Sequence, residues 1–384
     1  MTISSILLAL WRPLRGYPFW SRPQSRFLGV RRETVAALVG LSLVAASCES
    51  LSSARSGTSA NSGAMSATGQ SSAYRDLRQH TDSADKSEEC FGVDVSPDGS
   101  QMAFVVRRYD GRVFVDDIYL KGLNTKSRIQ KTADPTSDLH PAISPDGTKL
   151  AYASMSGGSY DIFVTNIGSS RARRQITSSS AEEISPTWSR DGKRIAFSRF
   201  SVAGWEWEIC VFDLDTGATT TLVPGLFPSY SPVEDLLVFQ RVDRQSRRFS
   251  LWTVDESATI ETEVLRSPDG DYVQPRWSPD GRFIVFTSSG KRIPWIGPDS
   301  SRRSAGQAIK QIIELRGADV WTMQSNGTGL TQLTSQDTDE SGAVWGRDGR
   351  IYFVSNRDGN TNIWSALPEF VALTEPVSES PTGQ

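Results

Sequence analysis

Few residues in this 384-residue chain are of a type that does chemistry. There are two histidines, His80 and His140, and three cysteines, Cys48, Cys90 and Cys210. Acid–base or nucleophilic catalysis needs such groups within hydrogen-bond reach of one another. A transition-metal site needs three or four of them gathered together. Neither pattern is written here. No Gly-x-Ser-x-Gly nucleophile elbow occurs, and the nearest run, Gly157-Gly-Ser-Tyr-Asp161, reads as a hairpin turn. Asp358-Gly-Asn-Thr-Asn362 has the oxygen-rich start of a calcium loop but lacks the closing glutamate, so it too reads as a turn. The sequence gives no catalytic residue, no metal and no cofactor, and the chain is expected not to be an enzyme.

The cysteines point elsewhere. Arg31-Arg32 followed by the small apolar run Val35 to Ala46 has the form of an export signal, too short to span a bilayer. Leu43-Val-Ala-Ala-Ser-Cys48 then resembles a bacterial lipoprotein box, although Ala45 stands where a larger aliphatic residue is usual. On that resemblance Cys48 becomes the lipidated N-terminus; the other reading is a plain secretory peptide with an incidental cysteine. Cys90 and Cys210 lie two repeats apart, beyond the separation that a disulfide tolerates, and are expected to be unpaired. Residues 1–47 are therefore taken as a signal peptide with an N-terminal extension of uncertain start. Residues 48–88 are rich in Ser, Ala, Gly and Thr and are expected to form a disordered tether. Without residues 1–47, 35 basic and 43 acidic residues remain. Nucleic acid is an unsuitable partner for a chain of that balance.

The elements that would position any site are written as a repeat. Trp277-Ser-Pro-Asp-Gly281 recurs as Val95-Ser-Pro-Asp-Gly99, Ile143-Ser-Pro-Asp-Gly147, Trp188-Ser-Arg-Asp-Gly192 and Trp345-Gly-Arg-Asp-Gly349. A decayed copy sits at Tyr230-Ser-Pro-Val-Glu234. Proline at the second turn position and glycine at the φ > 0 position make these tight hairpin turns. Each is followed by an apolar triplet such as Met102-Ala-Phe104 or Ile284-Val-Phe286, and consecutive apolar residues imply a strand covered on both faces. Next comes a strand with a polar lead, as in Asp161-Ile-Phe163 or Asn362-Ile-Trp364. Short fourth strands follow at Gln175-Ile-Thr177 and Gln332-Leu-Thr334. A period in the forties with four strands per copy predicts an all-β, six-bladed β-propeller over 89–374, with a polar tail at 375–384. The ring-closing strand is left open, Phe370-Val-Ala-Leu373 being one candidate.

The motif Pro-x-Trp-Ser-Pro-Asp-Gly, then Ile-Ala-Phe, then Asp-Ile-Trp, resembles the TolB-type (WD40-like, PD40) propeller repeat, from Cys90 to Pro368. The resemblance implies a cell-envelope protein that binds other proteins, as TolB binds the peptidoglycan-associated lipoprotein. Two departures stand out: the α/β domain that precedes the TolB propeller is replaced by the Ser-rich leader, and TolB is not lipidated. Related propellers also precede prolyl-oligopeptidase catalytic domains. Here the chain runs only about 20 residues past Trp364, so no such domain is expected.

On one rim of a propeller lie the connections into the innermost strands and the hairpins between second and third strands. Those hairpins carry Arg199, Trp205 and Trp207 in blade three, and Arg241, Arg247 and Arg248 in blade four. In blade five the long insertion 290–317 carries Arg292, Trp295, Arg302 and Arg303. Trp and Arg are enriched at interface hot spots, so this rim is the expected partner-binding face. The partner implied is an envelope protein, the membrane being reached through the Cys48 lipid. Localisation follows as a periplasm-facing outer-membrane lipoprotein, or else the periplasm. The alternative is a small-ligand, cation or glycan site at the channel mouth, built from His140, Glu182, Glu183, Tyr272, Asp339 and Glu340.

Overall fold

The computed structural model describes residues 73–370 except 83–87, 110, 170–171, 244, 267–269, 291–314, 316 and 336. Blade one is β2 to β5 (Glu88–Val95, Gln101–Tyr109, Phe114–Gly122, Arg128–Gln130), and β1 (Tyr74–Gln79) precedes it. Blade two is β6 to β9 (Asp138–Ile143, Lys149–Ser154, Asp161–Asn166, Arg173–Gln175). Blade three is β10 to β13 (Glu183–Trp188, Arg194–Ser201, Glu206–Asp213, Thr219–Pro224). Blade four is β14 to β17 (Leu226–Tyr230, Leu236–Val242, Phe249–Asp255, Glu261–Leu265). Blade five is β18 to β21 (Asp271–Trp277, Phe283–Ser289, Ala318–Gln324, Thr331–Gln332). Blade six has β22 to β24 (Glu340–Trp345, Ile351–Ser355, Asn362–Pro368) and takes β1 as its fourth strand. Every blade is a four-stranded antiparallel sheet, so the expected six-bladed propeller is what the chain forms.

The apolar triplets explain how the blades stack. All six, from Met102-Ala-Phe104 to Ile351-Tyr-Phe353, are buried, none more than 1% exposed. Each buried large side chain contributes roughly 1.5–3 kcal/mol relative to exposure. Neighbouring blades are also stitched by indole donors: Trp188 Nε1 gives a hydrogen bond to the Ala142 carbonyl (2.9 Å), and Trp277 Nε1 to that of Ser229 (3.1 Å). The hairpin turns owe their shape to the Ser-x-Asp pair. Ser278 Oγ donates to Asp280 Oδ1 (2.6 Å) and accepts from Phe283 N–H (2.9 Å), while Asp280 Oδ1 accepts from Arg282 N–H (3.1 Å). The same bonds hold Asp98 well charged, its carboxyl drawn down to about 2 by Ser96 and Ser100.

Closure corrects one sequence expectation and answers a question the sequence left open. The strand Tyr74–Gln79 falls inside the span read as disordered tether (48–88), and it, rather than residues 370–373, completes blade six by pairing with β24. Phe370 packs instead on Phe283 and Trp345, at ring separations of 5.8 and 6.3 Å, and 371–373 lie outside the described residues. Pairing the first strand with the last closes the ring by joining β1 to the blade built from the last three strands. A repeated clamp shows the equivalence. Thr132, Thr177 and Thr334 Oγ1 accept from Ile118, Ile162 and Val320 N–H at 2.8–2.9 Å, and Thr81 Oγ1 accepts from Ile363 N–H at 2.8 Å. His80 is thus part of the fold, with Nε2 2.7 Å from Ser365 Oγ, and burial lowers its pKa to about 4.

Candidate functional site

The centre of the ring is set by six β-bulges. Each innermost strand loses register with its neighbour once, between Leu139 and Ala142 in β6 and between Val273 and Arg276 in β18, for example. At each bulge one residue takes a left-handed backbone: Gly92, His140, Ser185, Phe227, Gln274 and Gly342, with φ from 52° to 60°. Four of the six precede proline, which bars the right-handed helical region, and the bulge turns each backbone at the channel. Left-handed geometry is strained for His140 and Phe227, which carry a Cβ. These two side chains meet edge to face at 5.7 Å and narrow the channel to a cavity of about 60 Å³. On the turn side the channel opens into a funnel of about 400 Å³, lined by the serine–proline turns of several blades.

His140 therefore belongs to the constriction rather than to the mouth. Neither ring nitrogen has a hydrogen-bond partner among the described residues, and burial, with Arg276 adding to it, pushes its pKa down to about 3. The acidic residues expected to converge at the rim-side mouth serve as staples instead. Glu182 accepts from Tyr160 N–H (2.9 Å), and Glu183 accepts from Ser179 Oγ (2.9 Å). Asp339 holds Asn356, and Glu340 accepts from Ser355 Oγ (2.9 Å) and pairs with Arg357 (2.8 Å). Tyr272 packs against Phe286, with ring centroids 5.3 Å apart. Each of these carboxylates thus ties a loop to a strand or a strand to its neighbour. Among the described residues no three His, Cys, Asp or Glu groups gather closely enough to hold a metal ion.

Five of the Arg and Trp residues expected on the rim are engaged by other side chains of the ring. Arg199 stands opposite Glu208 in the β11–β12 register and donates to Thr221 Oγ1 (2.6 Å). Arg241 lies over Phe239 and Trp252 and pairs with Glu261 (2.6 Å), while Arg248 pairs with the buried Asp271 (3.3 Å). Trp207 is buried and Trp205 half-buried, both edge-on to Phe200. Arg247 is exposed, at a left-handed turn position. Cys48, Arg292, Trp295, Arg302 and Arg303 lie outside the described residues, as do the signal peptide and the polar tail. Cys90 and Cys210 are buried and unpaired, and burial raises both thiols to about 11.

Sequence reasoning missed an exposed apolar group that stands out among the described residues of this rim. The β3–β4 hairpin of blade one ends in Tyr109, Val113 and Phe114, each more than half exposed, with the two aromatic rings 5.3 Å apart. Val202, on the blade-three hairpin, is 58% exposed on the same rim. The signal was present: Tyr109 and Val113-Phe114 flank a glycine turn.

Fold and centre together define a velcro-closed six-bladed propeller whose channel is narrow at its middle. The TolB beta propeller domain family model matches residues 73–280, more than half of the chain, and the chain belongs to that family. The match starts at β1. A putative TolB from Agrobacterium tumefaciens superposes with a TM-score of 0.50 at 20% identity, over 64% of this chain and 81% of that one. An oligogalacturonate lyase solved with manganese superposes with a TM-score of 0.50 at 16% identity, over 76% of this chain and 93% of that one. Tricorn protease homolog 1 of Streptomyces coelicolor is 25% identical over 278 residues, 68% of this chain. The chain spans only 23% of that protein's length. Two of these three are enzymes by name, which corrects the expectation that the chain is not an enzyme. A propeller of this type gives no ground for excluding catalysis.

Proposed function

We propose that this chain is an interaction propeller of the cell envelope, held to a membrane through a lipid on Cys48, and that it takes a protein partner on the rim that carries the strand-two-to-three hairpins. The observation that carries the reading is the Tyr109–Val113–Phe114 tip. Monomeric surfaces seldom gather exposed aromatic and branched residues on a projecting hairpin, and such groups dominate binding energy where they occur. Membership in the TolB propeller family supports an envelope setting. The insertion 290–317 springs from the corresponding hairpin of blade five, between β19 and β20, so it leaves the ring on the same rim.

The test replaces Tyr109 and Phe114 together by serine. Both are exposed, so the ring should unfold at an unchanged temperature while partner capture falls by about tenfold or more, the loss of one to two hot-spot side chains. Unaltered capture by the double variant would overturn the assignment of the rim.

A further inference from the structure

Two residues beyond each bulge, the six innermost strands place equivalent positions around the channel: Asp94, Ala142, Thr187, Ser229, Arg276 and Val344. Repeat symmetry makes them comparable, and one is a cation. Arg276 lines both the constriction and the funnel. Other poorly exposed arginines have a carboxylate close by: Arg107 has Asp116 (2.8 Å), Arg350 has Asp76 (2.8 Å) and Arg357 has Glu340 (2.8 Å). Arg276 has no hydrogen bond and no ion pair among the described residues. Burial lowers its pKa, and Asp94 of blade one is the opposite charge that acts on it. Asp94 is itself occupied, its Oδ2 accepting from Ile143 N–H at 2.7 Å.

Arg276 is half-buried, and a guanidinium with no carboxylate at ion-pair distance keeps its donors available to an anionic ligand. Its planar fork of N–H donors matches a carboxylate in two parallel hydrogen bonds. The funnel beside it, about 400 Å³, is the size of a small-molecule site. Arg190 and Arg347, from the turns of blades three and six, also line it, Arg190 being paired with Asp235 (3.5 Å). Beyond Arg276 the channel narrows at His140 and Phe227, so the roomier approach is from the turn face.

We propose that the turn-face funnel binds a carboxylate through Arg276, presented by a small organic acid or by the free C-terminus of an extended peptide. This site lies at the opposite end of the ring from the partner-binding rim and stands independently of it.

Calorimetric titration of the full chain tests it, with citrate and with tetra-alanine bearing either a free or an amidated C-terminus as probes. Saturable binding of citrate alone identifies a small-acid site. Binding of the free-acid peptide but not of its amide identifies a C-terminus site. In either case Arg276→Gln should weaken binding about tenfold or more, as expected when a charge-assisted hydrogen bond is lost. Arg276→Gln removes an unpaired charge and should keep its unfolding temperature, and Arg276→Met provides a second variant with the same expectation. Asp94→Asn, which removes the competing carboxylate, should tighten binding several-fold. Binding of neither acid by the wild type, equal binding of peptide acid and amide, or undiminished binding by Arg276→Gln would each overturn the proposal.

Discussion

Thr81→Val probes the closure of the ring at a single hydroxyl. Thr81 is 5% exposed. Its Oγ1 accepts from Ile363 N–H at 2.8 Å and donates to Asn362 Oδ1 at 3.0 Å. Valine keeps the shape and removes both bonds, leaving a buried backbone N–H without an acceptor. Such an orphan costs about 1–3 kcal/mol. For a domain of this size each kcal/mol moves the unfolding temperature by roughly 2–4 °C. Thr177→Val is the matched control: it deletes the same 2.8 Å bond, to Ile162, in blade two, whose fourth strand follows its third directly in the chain. Both variants should lose similar global stability in urea denaturation, and Thr81→Ser should restore it to within about 0.5 kcal/mol. They should differ in hydrogen exchange. Thr81→Val should speed exchange at His80, whose N–H donates to the Ile363 carbonyl at 2.8 Å, as the first strand peels from the last. Thr177→Val should leave that amide protected. If Thr81→Val is as stable as wild type and His80 exchanges no faster, the first strand does not close the ring in the way described.

Other outcomes follow from the buried charges. Arg357→Met leaves Glu340, fully buried, without its ion partner, and should cost about 3–5 kcal/mol in denaturant unfolding. Glu340→Gln in the same background should recover most of that loss, and a failure to recover would mean that the pair is not what holds blade six. His140→Asn concerns pH, asparagine being tolerant of the left-handed backbone. In the folded wild type the imidazole stays neutral down to about 3, whereas the unfolded chain protonates near pH 6.5. The unfolded state therefore binds more protons between those values, so wild-type stability falls relative to His140→Asn as pH drops from 6.5 toward 3. Parallel stability–pH curves for the two proteins would refute burial of the ring.

Much of the ring is legible in the chain because the code is local. The Ser-x-Asp turns and apolar triplets each specify a hairpin from a few adjacent residues, and the six-fold repetition makes the reading redundant. The first strand escaped because only Tyr74 of Tyr74–Gln79 faces inward, so it carries no apolar alternation. Its mark is instead Gln79-His80-Thr81, the same Gln-x-Thr that closes other blades at Gln130-Lys131-Thr132, Gln175-Ile176-Thr177 and Gln332-Leu333-Thr334. The rim arginines misled for a different reason. Composition identifies an arginine, but its freedom depends on the residue across the strand, and Arg199 stands opposite Glu208. Arg276 was hidden inside the turn motif itself, at the variable position of Pro275-Arg276-Trp277, where Pro186-Thr187-Trp188 has threonine. Comparing the repeats with one another, rather than with a consensus, exposes it.

The rim assignment meets its most direct test in site-specific photo-cross-linking on native membranes. A photo-reactive residue is placed at Phe114 on the rim hairpin, and in a second sample at Thr148 on the turn face. The account predicts one discrete protein adduct from position 114, absent from 148 and lost when Cys48→Ala releases the chain from the membrane. Equal adducts from both positions, or none from 114, would contradict it.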